Sequence, residues 1–162
     1  MPERKWVVNT SPIISLCEIG RIYLLEELCD EIVIPSGVSD EINAGAADDS
    51  AKLWLNSHGM KYVRNTGNIS PVISVWDLGK GETEVINRAY GSSDYTVILD
   101  DRAARNCASS LNIRVIGTVG IIVLAKKEQK IGEAAPLLFQ LVHNGFRISD
   151  SLIHSALQLA GE

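Results

Sequence analysis

The sequence predicts an α/β fold, a doubly wound parallel sheet covered by helices in a three-layer, Rossmann-like α/β/α arrangement, with extra helices at the C-terminal end. Three observations predict it. Short runs that are apolar almost throughout, such as "EIVIP" at 31–35 and "YTVIL" at 95–99, suit strands buried on both faces. Helical stretches carrying start and stop signals lie between them, and that alternation calls for right-handed crossovers. The length, 162 residues, predicts a single domain over 1–162 with one core.

The elements follow in order. "KWVVN" (5–9) reads as a short buried strand. Ser11 as N-cap and Pro12 at the first helical position would open a helix that stops at Gly20. A second helix covers 21–29, strand two is 31–35, and a helix begins in "SGVSDEINAG". Residues 47–58 read as helix and "MKYVRN" (60–65) as strand. The stretch from Thr66 to Leu78, mixing Gly, Asn, Ser and Pro with Val and Ile, reads as a loop or protruding hairpin. A helix is expected from about Gly81, strand "YTVIL" at 95–99, a helix over 102–110 and strand "IRVIG" at 113–117. "TVGIIVLAKKEQK" continues as a helix with bases in its last turn. Two helices close the chain, one ending at Gly145 and one capped by Ser149. No internal repeat and no low-complexity tract interrupts the pattern.

Composition narrows the function. Hydrophobic residues are 46% and charged residues 22%, which excludes a disordered chain. The longest apolar run, "IIVLA" at 121–125, is too short to span a bilayer, and "MPERKWVV" has no cleavage-site pattern, so a cytoplasmic protein with no membrane partner is expected. Cys17, Cys29 and Cys107 lack a CxxC pair or neighbouring His and read as buried thiols rather than zinc ligands. A net charge of −5 argues against coating nucleic acid by bulk electrostatics. The charge is uneven, however. Residues 18–49 hold nine acids against Arg21, and 101–130 hold six Lys/Arg against Asp101 and Glu128, which allows a basic wall beside an acidic site.

In such sheets ligands bind beyond the carboxyl ends of the strands, where strand order switches. That rule selects Asn9, Thr10 and Ser11 after strand one, and Asp100 and Asp101 after "YTVIL". Glu41 and Glu82, near helix starts, would lean into the same cleft. These donors are all hard oxygens, a set that selects Mg²⁺ or Mn²⁺ over zinc. Taken singly, Glu41 and Glu82 fit helix first turns, and Asp100 fits a helix cap. The pair Asp100–Asp101 at the end of an apolar strand is harder to dismiss, because adjacent acids repel unless a cation compensates. "GTVG" at 117–120 is not a nucleotide-binding fingerprint. His58, His143 and His154 are scattered over helices. "VILDD" lies too late in the chain for the acidic pair of a response-regulator receiver.

Six segments in order carry a resemblance over nearly the whole chain: "VVNTSPIISL", "IVIPSGVSDEI", "LGKGETEVINRA", "VILDDRAAR", "VIGTVGIIVLAKK" and "LLFQLVHNGFRISDSLIHSALQLAGE". The chain resembles the PIN-domain family, in its branch of prokaryotic toxin-like and nucleic-acid-binding proteins. The resemblance implies a Mg²⁺- or Mn²⁺-dependent ribonuclease with an acidic cluster. It puts Asn9 in place of the first Asp, Ser11 at the supporting hydroxyl, Glu41 and Glu82 at the next acids, Asp101 at the last, and Asp100 where the wider family has Asn. Asn9, Glu41, Glu82, Asp100 and Asp101 would then hold metal, with the four acids catalytic. Charge missing at Asn9 would be restored at Asp100. Arg102, Arg105 and Arg114 would line an RNA path. The expected partners are RNA, a small antitoxin and a second copy of the chain in a homodimer. The alternative is a PIN-fold module that binds nucleic acid or protein and has lost its chemistry.

Overall fold

The computed structural model describes residues 3–162. Five parallel strands form one sheet: β1 (Lys5–Val8), β2 (Glu31–Pro35), β3 (Val63–Arg64), β4 (Tyr95–Ile98) and β5 (Arg114–Ile116). Their order is β3-β2-β1-β4-β5. The chain winds one way from β1 to β3 and the other way from β4 to β5, so the switch in order falls between β1 and β4. Val7 of β1 stands between Val33 of β2 and Val97 of β4. Those three and Trp6, Val8, Ile34 and Ile98 are buried, as double-sided helix cover requires. Each such side chain contributes roughly 1.5–3 kcal/mol of burial.

The helices are α1 (Thr10–Glu18), α2 (Leu24–Leu28), α3 (Ser36–Asn43), α4 (Ser50–Ser57), α5 (Pro71–Ser74), α6 (Lys80–Ala89), α7 (Arg102–Ser110), α8 (Thr118–Lys127), α9 (Ala135–His143) and α10 (Asp150–Leu159). The expected fold class and the order of its long elements are thus observed.

Three local expectations are corrected. Ser11 does not cap α1; the helix begins at Thr10, with extended Asn9 in the cap position and its side chain making no capping bond. Pro12 is then the third helical residue, tolerated because the first four N–H groups lack helical partners. Residues 59–62 form a 3₁₀ turn, leaving β3 only two residues long. The 66–78 stretch contains α5, with Pro71 at its start and Ile73 fully buried. Asn87 of α6 pins it: Oδ1 accepts from Ser70 N–H at 3.0 Å and Nδ2 donates to the Asn68 carbonyl at 3.2 Å.

At the C-terminal end Ser149 does cap α10, accepting from Leu152 N–H at 3.1 Å. The side chain of Glu162 accepts from the N–H groups of Ala134 and Ala135, tying the chain end to the start of α9.

Candidate functional site

The backbone carries the residues that follow β1 and β4 to the same edge. Asn9 N–H donates to the Ile98 carbonyl at 3.2 Å, and Leu99 N–H donates to the Ile116 carbonyl at 3.0 Å. Asn9 and Asp100 therefore emerge on either side of the switch point. Asn9 is 5% exposed, and its Oδ1 is buried without a hydrogen-bond partner. An amide oxygen in that state costs about 1–3 kcal/mol unless a ligand, ion or water completes it.

Gly81, on the first turn of α6, explains how closely the surrounding groups approach. A Cβ there would collide with Glu41 Oε1 and lie 3.1 Å from Asn9 Oδ1. Glycine leaves the space in which these two oxygens meet α6. Glu41 is held from α3 by Thr10, whose Oγ1 donates to Glu41 Oε1 at 2.5 Å. Glu82, the next residue on α6, has its carboxyl pushed above the ordinary glutamate range. Burial is the main cause, followed by the charges of Asp101 and Glu41 and a hydrogen bond with Asp101. Glu82 thus feels the charge of both other acids.

The adjacent acids do different work. Asp101 caps α7, Oδ2 accepting from Ala104 N–H at 3.1 Å. Asp100 turns to α8: Oδ1 accepts from Thr118 N–H at 2.8 Å, and Oδ2 from Thr118 Oγ1 at 2.7 Å and Ser11 Oγ at 3.3 Å. Ser11 therefore does contact an acid of the site.

A cleft of about 560 Å³ is lined by Asn9, Ser11, Glu82, Asp100 and Asp101, with Arg147 of the α9–α10 connection on its far wall. Glu41 is not part of that wall. A second cleft, about 840 Å³, opens beside it between α7, α8 and α10, and shares Asp100, Phe146 and Arg147. Among the described residues no three His, Cys, Asp or Glu side chains converge as a ready-made ion cage. The donor chemistry nevertheless fits Mg²⁺ or Mn²⁺: every group is a hard oxygen, Asn9 Oδ1 is unsatisfied, and Gly81 keeps the space beside it open.

The basic residues divide. Arg102 and Arg105 line the larger cleft, but Arg105 Nη1 already donates to the Leu99 carbonyl at 3.0 Å. Arg114 is corrected as a companion of the site. It begins β5, donates to the Ser93 carbonyl at 2.7 Å, and lines a separate hollow with Arg4 and Lys5 at the amino ends of the strands. Nearness in sequence misled here, because a strand's first residue lies at the opposite sheet edge from the residues that follow it.

Sequence reading missed Glu84, Thr118 and Arg147. Periodicity did not mark Glu84: on a 3.6-residue period it is Glu82, three and four residues before Val85 and Ile86, that shares their face. Outside the site, the three cysteines are free; burial raises the thiols of Cys17 and Cys29 to about 12 and 11. His58 pairs with Glu26 at 2.7 Å.

Residues 5–162 match the family model described as PIN domain. The chain belongs to the PIN-domain family. No curated protein matches it. PIN domains are generally nucleases, a class of hydrolase, and typically use divalent metal ions. Nucleic acid is accordingly the kind of ligand that this PIN domain's cleft suggests. No helix among its described residues is long and apolar enough to cross a membrane.

Proposed function

We propose that this PIN domain is a Mg²⁺- or Mn²⁺-dependent endoribonuclease of the cytoplasm, the toxin of a toxin–antitoxin pair. The observation that carries the reading is the buried, unpartnered Oδ1 of Asn9 beside Glu41 and α6 at the sheet's switch point. In this reading Glu41, Glu82 and Asp101 hold the ion, Asn9 adds a neutral oxygen, and Asp100, steadied by Ser11 and Thr118, adds charge at the rim. The ion, when bound, supplies a more acidic water and neutralises charge on the phosphodiester. Arg102 and Arg105 face the RNA, and the acids orient the attacking water in line with the bond to be cut. A small antitoxin silences the enzyme, which works as a homodimer.

One observation favours a second reading. The acids do not stand as a preformed cage, and the first position is an amide. A PIN fold that binds nucleic acid or protein without cutting would look the same. Asp101→Asn separates the two. Asn caps a helix as well as Asp does, so α7 keeps its start while the charge is lost. Mn²⁺-dependent cleavage of RNA by the wild type, abolished in that variant, supports the nuclease. A wild type that binds Mn²⁺ and RNA without cleavage supports the module. Growth arrest on expression, absent in Asp101→Asn and relieved by the product of a small neighbouring gene, tests the toxin assignment.

A further inference from the structure

The arginines of this chain mostly have partners. Arg4 pairs with Glu128, Arg105 and Arg114 bond backbone carbonyls, and Arg21 and Arg64 bond carbonyls near them in sequence. Among the described residues, Arg88, Arg102 and Arg147 have neither an ion-pair nor a hydrogen-bond partner. Of these three, Arg147 alone lines both clefts, standing where the acidic one meets the larger one.

Its placement is built into the backbone. Helix α9 ends with Gly145 at φ +99°, a left-handed conformation that suits glycine. Gly145 N–H bonds the Val142 carbonyl at 3.0 Å and Phe146 N–H reaches back to the Leu141 carbonyl at 2.9 Å, a closed C-terminal turn that sets the direction of the next residues. Phe146 and Ile148 then pack on the core, and Ser149 caps α10. Residues on both sides of Arg147 are anchored while its side chain stays exposed. The anchored backbone fixes where the guanidinium can reach, and its planar fork matches phosphate oxygens.

We propose that Arg147 is a substrate-positioning residue that seats a phosphate of single-stranded RNA at the junction of the two clefts. The proposal rests on the nuclease reading for the identity of the strand, and not for the cation's role in binding it. The acidic cleft receives the phosphodiester to be cut, the larger cleft receives the flanking nucleotides past Arg102 and Lys127, and Arg147 fixes the register between them. An acidic protein segment is the competing ligand for a free guanidinium.

The test uses the intact chain as wild type, Arg147→Ala, Arg147→Lys and, as a control for charge far from the clefts, Arg114→Ala. Binding of a fluorescent, short single-stranded RNA of mixed sequence is measured across a salt series with EDTA present, so that cleavage does not intervene. Arg147→Ala is expected to weaken binding about tenfold and to reduce the slope of log K against log salt by about 0.7, one phosphate on a single strand. Arg147→Lys should keep the slope and recover part of the affinity, since it keeps the charge and loses the fork. Arg114→Ala should match wild type in affinity and slope, and the two Arg147 variants should melt as wild type does.

With Mn²⁺ added, cleavage by Arg147→Ala should show a raised KM. An unchanged affinity and slope in Arg147→Ala overturns the inference, as does a wild type that binds no RNA. So does loss of polyglutamate binding in that variant with RNA binding intact. A wild type that binds through Arg147 yet never cleaves with Mn²⁺ leaves the inference standing and overturns the nuclease reading instead.

Discussion

The carboxylate of Glu84 on α6 accepts a hydrogen bond from the backbone N–H of Gly37 in the first turn of α3, 3.0 Å away. Glu84 is buried and also faces Ser36 Oγ at 3.4 Å. A carboxylate at a helix N-terminus satisfies an orphan donor and opposes the dipole. The contact locks the helix bearing Glu41 to the helix bearing Glu82. Gly37 is the matching half, because a Cβ there would collide with the Glu84 carboxylate.

That lock predicts a non-additive pair. Gly37→Ala should cost about 1–3 kcal/mol through overpacking. Glu84→Ala should cost a similar amount, about 1–3 kcal/mol, by stranding a buried N–H. The double variant should be more stable than the sum predicts, since removing the carboxylate removes the collision. Urea midpoints measure all three, and strict additivity would show that the carboxylate does not sit over Gly37.

Glu82 sets a pH dependence. Its carboxyl is raised in the folded protein by burial, Asp101 and Glu41, so folding favours its protonated form. The stability from this preference is fully present below the ordinary glutamate value and is lost as pH rises through the raised one. In the metal-free protein, Glu82→Gln should therefore melt higher than wild type at neutral pH. The gain should shrink as pH falls from the raised value toward 4.5. A melting difference that does not change with pH refutes this account.

Asp100 and Thr118 give a graded series. Asp100→Ala removes the acceptor of both the Thr118 N–H and its hydroxyl, and should cost about 1.5–3 kcal/mol, as for bonds to a charged group. Thr118→Val keeps the N–H bond and should cost about 1 kcal/mol. Exchange of the backbone amide at position 118 should quicken only in Asp100→Ala. Equal protection in the two variants would mean that Asp100 does not hold α8.

Asn9→Asp adds one charge at nearly constant volume beside Glu41. If Asn9 faces an ion, Mn²⁺ should bind about tenfold more tightly, roughly 1–2 kcal/mol for one screened charge. Without metal the added acid should lower the melting temperature, and Mn²⁺ should raise it above its shift in wild type. The same metal-induced shift in both proteins would place Asn9 outside the site.

The sequence by itself determined the α/β class, the order of the strands and long helices, and the group of residues to inspect. Those conclusions rest on local causes: buried strands need unbroken apolar runs, as in Val97–Leu99, and Ser149 announces a helix start by its own side chain. The tertiary structure decided which oxygens are free. Asp100 and Asp101 are neighbours of the same chemistry, yet one latches α8 through Thr118 and the other caps its own helix and touches Glu82. The cap partner of Asp101 is local, but the partners of Asp100, Thr118 and Ser11, come from other elements, and that is what separates the two acids. The same holds for the cations. Arg105, Arg114 and Arg147 are alike in sequence, but one is tied by Nη1 to the Leu99 carbonyl, one lies at the amino ends of the strands, and one stands unpaired between two clefts. Strand direction and packing set those fates, and both are properties of the assembled chain rather than of any segment.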